Sequence, residues 1–177
     1  MSATTHRYPL SSLAADYGRA AAGLAFTGLP LLAVQAAPPV AWVLGLLAVL
    51  FAAYAVRTGL RHRTVIVLDQ DGIRAVGPLA AAVRWDALAS LRVSYYATRR
   101  ERRNGRGWMQ LKVKGGGGRS LAVDSTIAGF EAIVRRSAGA ARSNGVRLDP
   151  ATAVNLQSLG VDPGEAVGTD LAGVASR

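Results

Sequence analysis

Apolar positions follow two regimes along the chain. From Ala20 to Val56 they run without a single Asp, Glu, Lys, Arg or His, whereas beyond Arg63 they recur in short alternating runs separated by turn residues. The first regime exceeds the roughly 20 residues one helix needs to cross a hydrocarbon core, and it suits two minimal crossings. Pro38-Pro39 divides it, because proline cannot donate a helical hydrogen bond and the second proline pushes the first out of the α region. The pattern predicts a transmembrane helical hairpin over residues 20–60, with helices at Ala20–Ala37 and Val40–Leu60. Tyr17, Trp42 and Tyr54 fall near the expected interfaces, where amphipathic rings are comfortable. Gly23 with Thr27, Ala41 with Gly45, and Ala48 with Ala52 are small residues spaced to let helix backbones approach in lipid. Val34-Gln35-Ala36 also resembles a signal-peptide cleavage site, an alternative in which the second run alone anchors the chain.

Before the apolar run, Leu10, Leu13, Ala14 and Tyr17 recur at helical spacing after a polar start. Residues 1–19 therefore read as a cytoplasmic segment, either a short interfacial helix or a frayed tail.

The second regime predicts a β-rich domain over residues 61–146. Thr64–Leu68 is rich in β-branched residues and ends at Asp69-Gln70-Asp71-Gly72, a turn whose glycine is free to take positive φ; Ile73–Val76 returns. Ala81, Val83 and Trp85 share one face of a third strand, and Leu91, Val93 and Tyr95 one face of a fourth. In Trp108–Lys114, Met109, Leu111 and Val113 alternate with Gln110, Lys112 and Lys114, as in a strand with one wet face. Gly115–Gly118 turns the chain into a sixth strand, Arg119–Val123. Asp124-Ser125-Thr126 offers N-cap oxygens for a helix with the apolar stripe Ile127, Phe130, Ile133, Val134 and Ala141, closed by Asn144-Gly145. Residues 147–177 are expected to hold a short helix, Pro150–Leu159, capped by Asp149 and followed by Gly160, and then a Gly- and Ala-rich flexible tail.

The expected fold class is thus an α+β membrane protein: a hairpin anchor, then about six strands in a bent sheet or partial barrel with a C-terminal helix. This layout resembles the small bacterial two-pass membrane proteins that carry a C-terminal pleckstrin-homology-like (PH-like) domain. The resemblance rests on Val65-Ile66-Val67-Leu68-Asp69-Gln70-Asp71-Gly72-Ile73, on the apolar-x-Trp-x-x-apolar segment Val83-Arg84-Trp85-Asp86-Ala87-Leu88, and on the final strand with the Phe130 helix. It implies a non-enzymatic binding or assembly role in the bacterial inner membrane, and it transfers no functional residue. Asp69 and Asp71 occupy the first hairpin turn, where a phosphoinositide site would want basic groups.

Composition sharpens this picture. Only 18% of residues are charged, against about 25% in a typical soluble protein. The net charge of +10 is almost entirely arginine, with Lys112 and Lys114 the sole lysines, which favours anionic partners. Arg7 and Arg19 precede the apolar run, and Arg57, Arg61 and Arg63 follow it, so the positive-inside rule puts both termini in the cytoplasm. The densest cluster is Arg99, Arg100, Arg102, Arg103 and Arg106, in the connection between the fourth and fifth strands. These five and Arg57, Arg61 and Arg63 are the candidate lipid- or partner-binding residues. Each basic group near an anionic leaflet contributes about 1 kcal/mol of attraction, although topology and a solvated loop also explain them. Expected partners are the bilayer, a membrane-associated protein and anionic headgroups. Nucleic acid, stacking on Tyr95, Tyr96 and Trp108 beside the arginines, is less favoured. Absence of cysteine excludes disulfides and thiol chemistry. The two histidines, His6 and His62, are too far apart in sequence to suggest a metal site or triad. No cofactor is expected, and an enzyme using two carboxylates in a barrel mouth is the remaining catalytic alternative.

Overall fold

The structure, a computed structural model, describes residues 3–33, 35, 37–98 and 107–164. It is an α+β fold with four helices and two antiparallel sheets among the described residues. Strand β1 (Thr4–Arg7) leads into helices α1 (Leu10–Ala33) and α2 (Pro38–Arg63). Strands β2 (Val65–Leu68), β3 (Gly72–Val76), β4 (Ala81–Arg84), β5 (Leu88–Tyr96), β6 (Trp108–Gly115) and β7 (Ser120–Asp124) follow, and then helices α3 (Phe130–Ser143) and α4 (Pro150–Ser158).

The sheets have the orders β1-β2-β3-β4 and β5-β6-β7. They face each other across one core, in which Ile66, Ile73, Val83, Leu111, Val113 and Val123 meet Phe130, Ile133 and Val134 of α3. No ladder joins β4 to β7 among the described residues, so the sheets do not close into a barrel.

The first strand departs from expectation. The pattern before the helices predicts no strand, yet Thr4–Arg7 pairs antiparallel with β2, Arg7 opposite Val65 and Thr4 opposite Leu68. Its other side is held by the turn after β7: His6 Nδ1 bonds the Ala128 carbonyl at 2.8 Å, and the Ala128 N–H donates to the Arg7 carbonyl at 3.1 Å. Among the described residues the domain therefore has seven strands rather than about six, and the two long helices are inserted between its first and second. Four residues, none of them buried, are too few for alternation to reveal them in sequence.

Helix α1 also corrects the sequence reading. Leu10, Leu13 and Tyr17 belong to the same continuous helix as Ala20–Ala33, not to a separate interfacial one. Leu13 is buried in the β-domain core and Tyr17 packs against it, so the first turns of α1 dock on the domain. At the other end, Pro38 and Pro39 are not the turn but the first turn of α2, where a proline's missing N–H costs nothing.

The helices pack closely through small residues. Ala20, Gly23 and Thr27 are buried on α1, and a Cβ added at Gly23 would lie 2.2 Å from the Phe51 ring of α2. Of the three small-residue pairs, Gly23 with Thr27 makes the contact. Near the domain, the Tyr54 hydroxyl donates to Asp16 at 2.7 Å, and Asp16 also pairs with Arg19 at 2.9 Å. Away from their seam the helices stay bare: Phe26 and Trp42 are each 81% exposed, and Pro38–Arg57 contains no buried residue. Among the described residues α2 alone is long and apolar enough to cross a membrane.

Two local readings change within the β domain. Gly72 is required for close approach instead of a positive φ, since a Cβ there would meet the Val83 carbonyl at 2.5 Å. The turn is closed by Asp69, whose carboxylate accepts the N–H groups of Asp71 and Gly72, and the buried Trp85 ring donates Nε1 to the Asp69 carbonyl at 3.0 Å. Helix α3 begins at Phe130 behind Gly129, without a side-chain cap. Asp124 and Ser125 lie too far upstream of the cap position, Gly129, and are bonded elsewhere: Asp124 to Gln110 and Arg61, while the Ser125 hydroxyl accepts the Met109 N–H.

Helix α4 starts as its sequence predicts, with Asp149 accepting the Thr152 N–H at 2.9 Å. It lies along the free edge of β5. There Thr152 accepts the Val93 N–H at 3.2 Å and Asn155 donates to the Val93 carbonyl at 2.8 Å, so side chains stand in for a neighbouring strand.

Candidate functional site

The candidate residues on α2 separate by helical phase. Arg57 and Arg61, four residues apart, share a face and line one cavity, whereas Arg63 points into another groove. The first cavity, about 290 Å³, is enclosed by the last turns of α2, by Tyr8 after β1, by Leu79 in the β3–β4 turn, and by β7. The second, about 720 Å³, lies beside Arg7, His62, Arg63 and Tyr17, with the Tyr17 hydroxyl 3.2 Å from His62 Nδ1.

At the floor of the first cavity Arg61 meets Asp124 at 2.7 Å, with both side chains largely shielded, 26% and 16% exposed. The same guanidinium sits 4.9 Å from the centre of the Tyr8 ring, in the geometry of a cation–π contact. The Tyr8 hydroxyl accepts the Asp124 N–H at 3.2 Å, and Gln110 Nε2 donates to Asp124 at 2.9 Å. Burial pushes the Tyr8 phenol above its ordinary value, an effect the neighbouring Asp124 N–H only partly opposes; Tyr8 is therefore a neutral phenol at physiological pH. Three other elements thus converge on Asp124 at the end of β7: α2, β6 and the β1–α1 junction.

Arg57 stands apart from this cluster. It is exposed and has no hydrogen-bond or ion-pair partner among the described residues. Among the described residues the cavity is lined by one carboxylate, Asp124, already paired with Arg61, so the unpaired Arg57 guanidinium gives that lining a net positive charge. Apolar Ile66, Ala75, Leu79 and Leu121 complete the walls. Such a space can hold an anion beside a short apolar group.

Arg99, Arg100, Arg102, Arg103 and Arg106 lie outside the described residues. The ends of their connection are fixed, because Tyr96 and Trp108 are paired across β5 and β6 and stack at 4.6 Å with 22° between planes. Both rings are about two-fifths exposed, 44% and 41%.

Sequence reasoning reached Arg57, Arg61 and Arg63 through topology, and it missed Tyr8, Gln110 and Asp124. Asp124 reads as an N-cap, Gln110 as the wet face of a strand and Tyr8 as part of a polar tail, since nothing local signals that they meet. No protein-family model, curated protein or solved structure matches the chain.

Proposed function

We propose that this chain is a non-enzymatic, two-pass inner-membrane protein whose cytoplasmic PH-like domain is a binding module for anionic lipid headgroups, a membrane-associated protein, or both. One observation carries the topology. β1 and β2 lie in the same sheet, which supports a segment between them that begins and ends on one side of a bilayer. If α2 crosses, α1 crosses back. The bare apolar surface of both helices and the arginines at their domain-side ends support the same arrangement.

A four-stranded and a three-stranded antiparallel sheet followed by a helix support the PH-like reading of the domain. The short Arg63–Val65 link and the Arg61–Asp124 pair keep this domain close to the leaflet, where arginines encounter phosphates first. The carboxylate-enzyme alternative draws nothing from the first cavity, whose single acid is bound to arginine.

The reading is tested with the full chain in nanodiscs of neutral or partly anionic lipid, followed by hydrogen exchange. Anionic lipid is expected to slow exchange around residues 57–64 and 97–108, and added salt to reverse it. Equal exchange in both lipids would remove the headgroup role, and a cytoplasm-only reporter silent at the C-terminus would overturn the orientation.

The Tyr96–Trp108 stack beside five arginines favours nucleic acid as a second reading. Gel shifts across a salt series address it, since phosphate contacts predict steep loss of affinity with salt.

A further inference from the structure

We infer that the cavity between α2 and the β domain is a site for the phosphate headgroup of one anionic lipid from the surrounding leaflet, with Arg57 as its phosphate ligand. This rests on the membrane-anchored reading above and names the ligand of that module.

Three observations converge. Arg57 is the first charged residue after the uncharged run Ala20–Val56, so on a crossing helix it lies where hydrocarbon gives way to headgroups. Among the described residues it is also the one guanidinium lining the cavity that lacks a carboxylate, since Arg61 is held by Asp124. A phosphate there would gain a charge-assisted hydrogen bond without breaking an existing ion pair.

The third observation concerns the mouth of the cavity. The β3–β4 turn rests against the end of α2: Gly77, at φ 131°, lies so close that a Cβ would stand 2.7 Å from the Arg63 carbonyl. That contact holds Leu79, 48% exposed, as an apolar lip on the cavity that Arg57 lines. An arginine beside an apolar lip matches a ligand with an anionic group joined to a hydrophobic body. The cavity, about 290 Å³, is at the lower limit of small-molecule pockets, roughly 300 Å³, so it accommodates a headgroup while the acyl chains remain in the bilayer.

The test uses the full chain in nanodiscs of phosphatidylcholine with a minority of phosphatidylglycerol, released into native mass spectrometry. Wild type is expected to retain one phosphatidylglycerol. Arg57→Gln should reduce that retention on the order of tenfold, Arg57→Lys should restore part of it, and Arg63→Gln, in the other groove, should leave it unchanged. Leu79→Glu, at an exposed position, provides a second variant and should expel the lipid by repulsion. Undiminished retention in Arg57→Gln and Leu79→Glu would overturn the site. Displacement by soluble glycerol 1-phosphate as effective as exchange with lipid would overturn the bilayer as the source. Either result leaves the binding-module reading standing if anionic nanodiscs still protect the domain from exchange; that reading fails separately when they do not.

Discussion

The guanidinium of Arg61 and the carboxylate of Asp124 meet at 2.7 Å and join the last turns of α2 to the end of β7. A tether of this kind fixes the attitude of the β domain to the helix pair, which a flexible linker would leave free. Because both groups are shielded, removing one strands the other. Arg61→Ala and Asp124→Ala are each expected to lower stability by about 1–3 kcal/mol, with the double variant less destabilised than the sum. Thermal unfolding of the four proteins of this cycle in detergent would measure the coupling; simple additivity would mean the pair does not hold the junction.

At Gly23 the two helices pack too closely to admit a Cβ. Even alanine there places its Cβ in the Phe51 ring, so Gly23→Ala is expected to destabilise by about 1–3 kcal/mol, and Gly23→Val by more. Phe51→Leu, by vacating that space, should rescue much of the Gly23→Ala loss. Far-ultraviolet circular dichroism on heating would follow both, and a neutral Gly23→Val would refute the close packing.

Thr152 and Asn155 shield the edge of β5. Thr152→Val leaves the Val93 N–H without its acceptor, at an expected cost of about 1–3 kcal/mol, and should speed its hydrogen exchange. Adding Asn155→Ala exposes a pairing edge, and such edges recruit other chains. The double variant is therefore expected to elute as larger species in size-exclusion chromatography, and an unchanged elution volume would count against edge protection.

Asp149 ties this device to pH. Its partial burial would raise the carboxyl, but bonds from the Thr152 N–H and hydroxyl, together with the Arg92 charge, outweigh that and hold it below its ordinary 3.8. The stabilisation is therefore complete above 3.8 and is lost as pH falls from there through the lower folded value. Exchange at Val93 should accelerate over that acid window in the wild type and much less in Asp149→Asn, which keeps an N-cap oxygen without the titration.

Much of the domain was legible because alternation and turn chemistry are local. Met109, Leu111 and Val113 announced their strand, Asn144-Gly145 and Asp149-Pro150 their helix ends, and the uncharged run its two long helices. The failures share a cause in tertiary competition. Asp124 looks like a helix cap from its neighbours in sequence, yet Arg61 and Gln110 claim its oxygens. Thr4–Arg7 has too few residues to show a period, and its partner strand lies beyond both helices. The cavity was invisible for the same reason, since Tyr8 reaches it only through the pairing of β1 with β2, and Leu79 only through the packing of the β3–β4 turn against the end of α2.

That pairing also orders events during synthesis. Thr4–Arg7 is made before its partner strand and cannot pair with it until both helices and then Val65–Leu68 have been made. Completion of the four-stranded sheet must therefore wait on the two helices folding back on each other. A chain whose helices fail to fold back on each other is left with Thr4–Arg7 unpaired and Tyr8 unseated, so completion of the domain reports that the helix pair has formed.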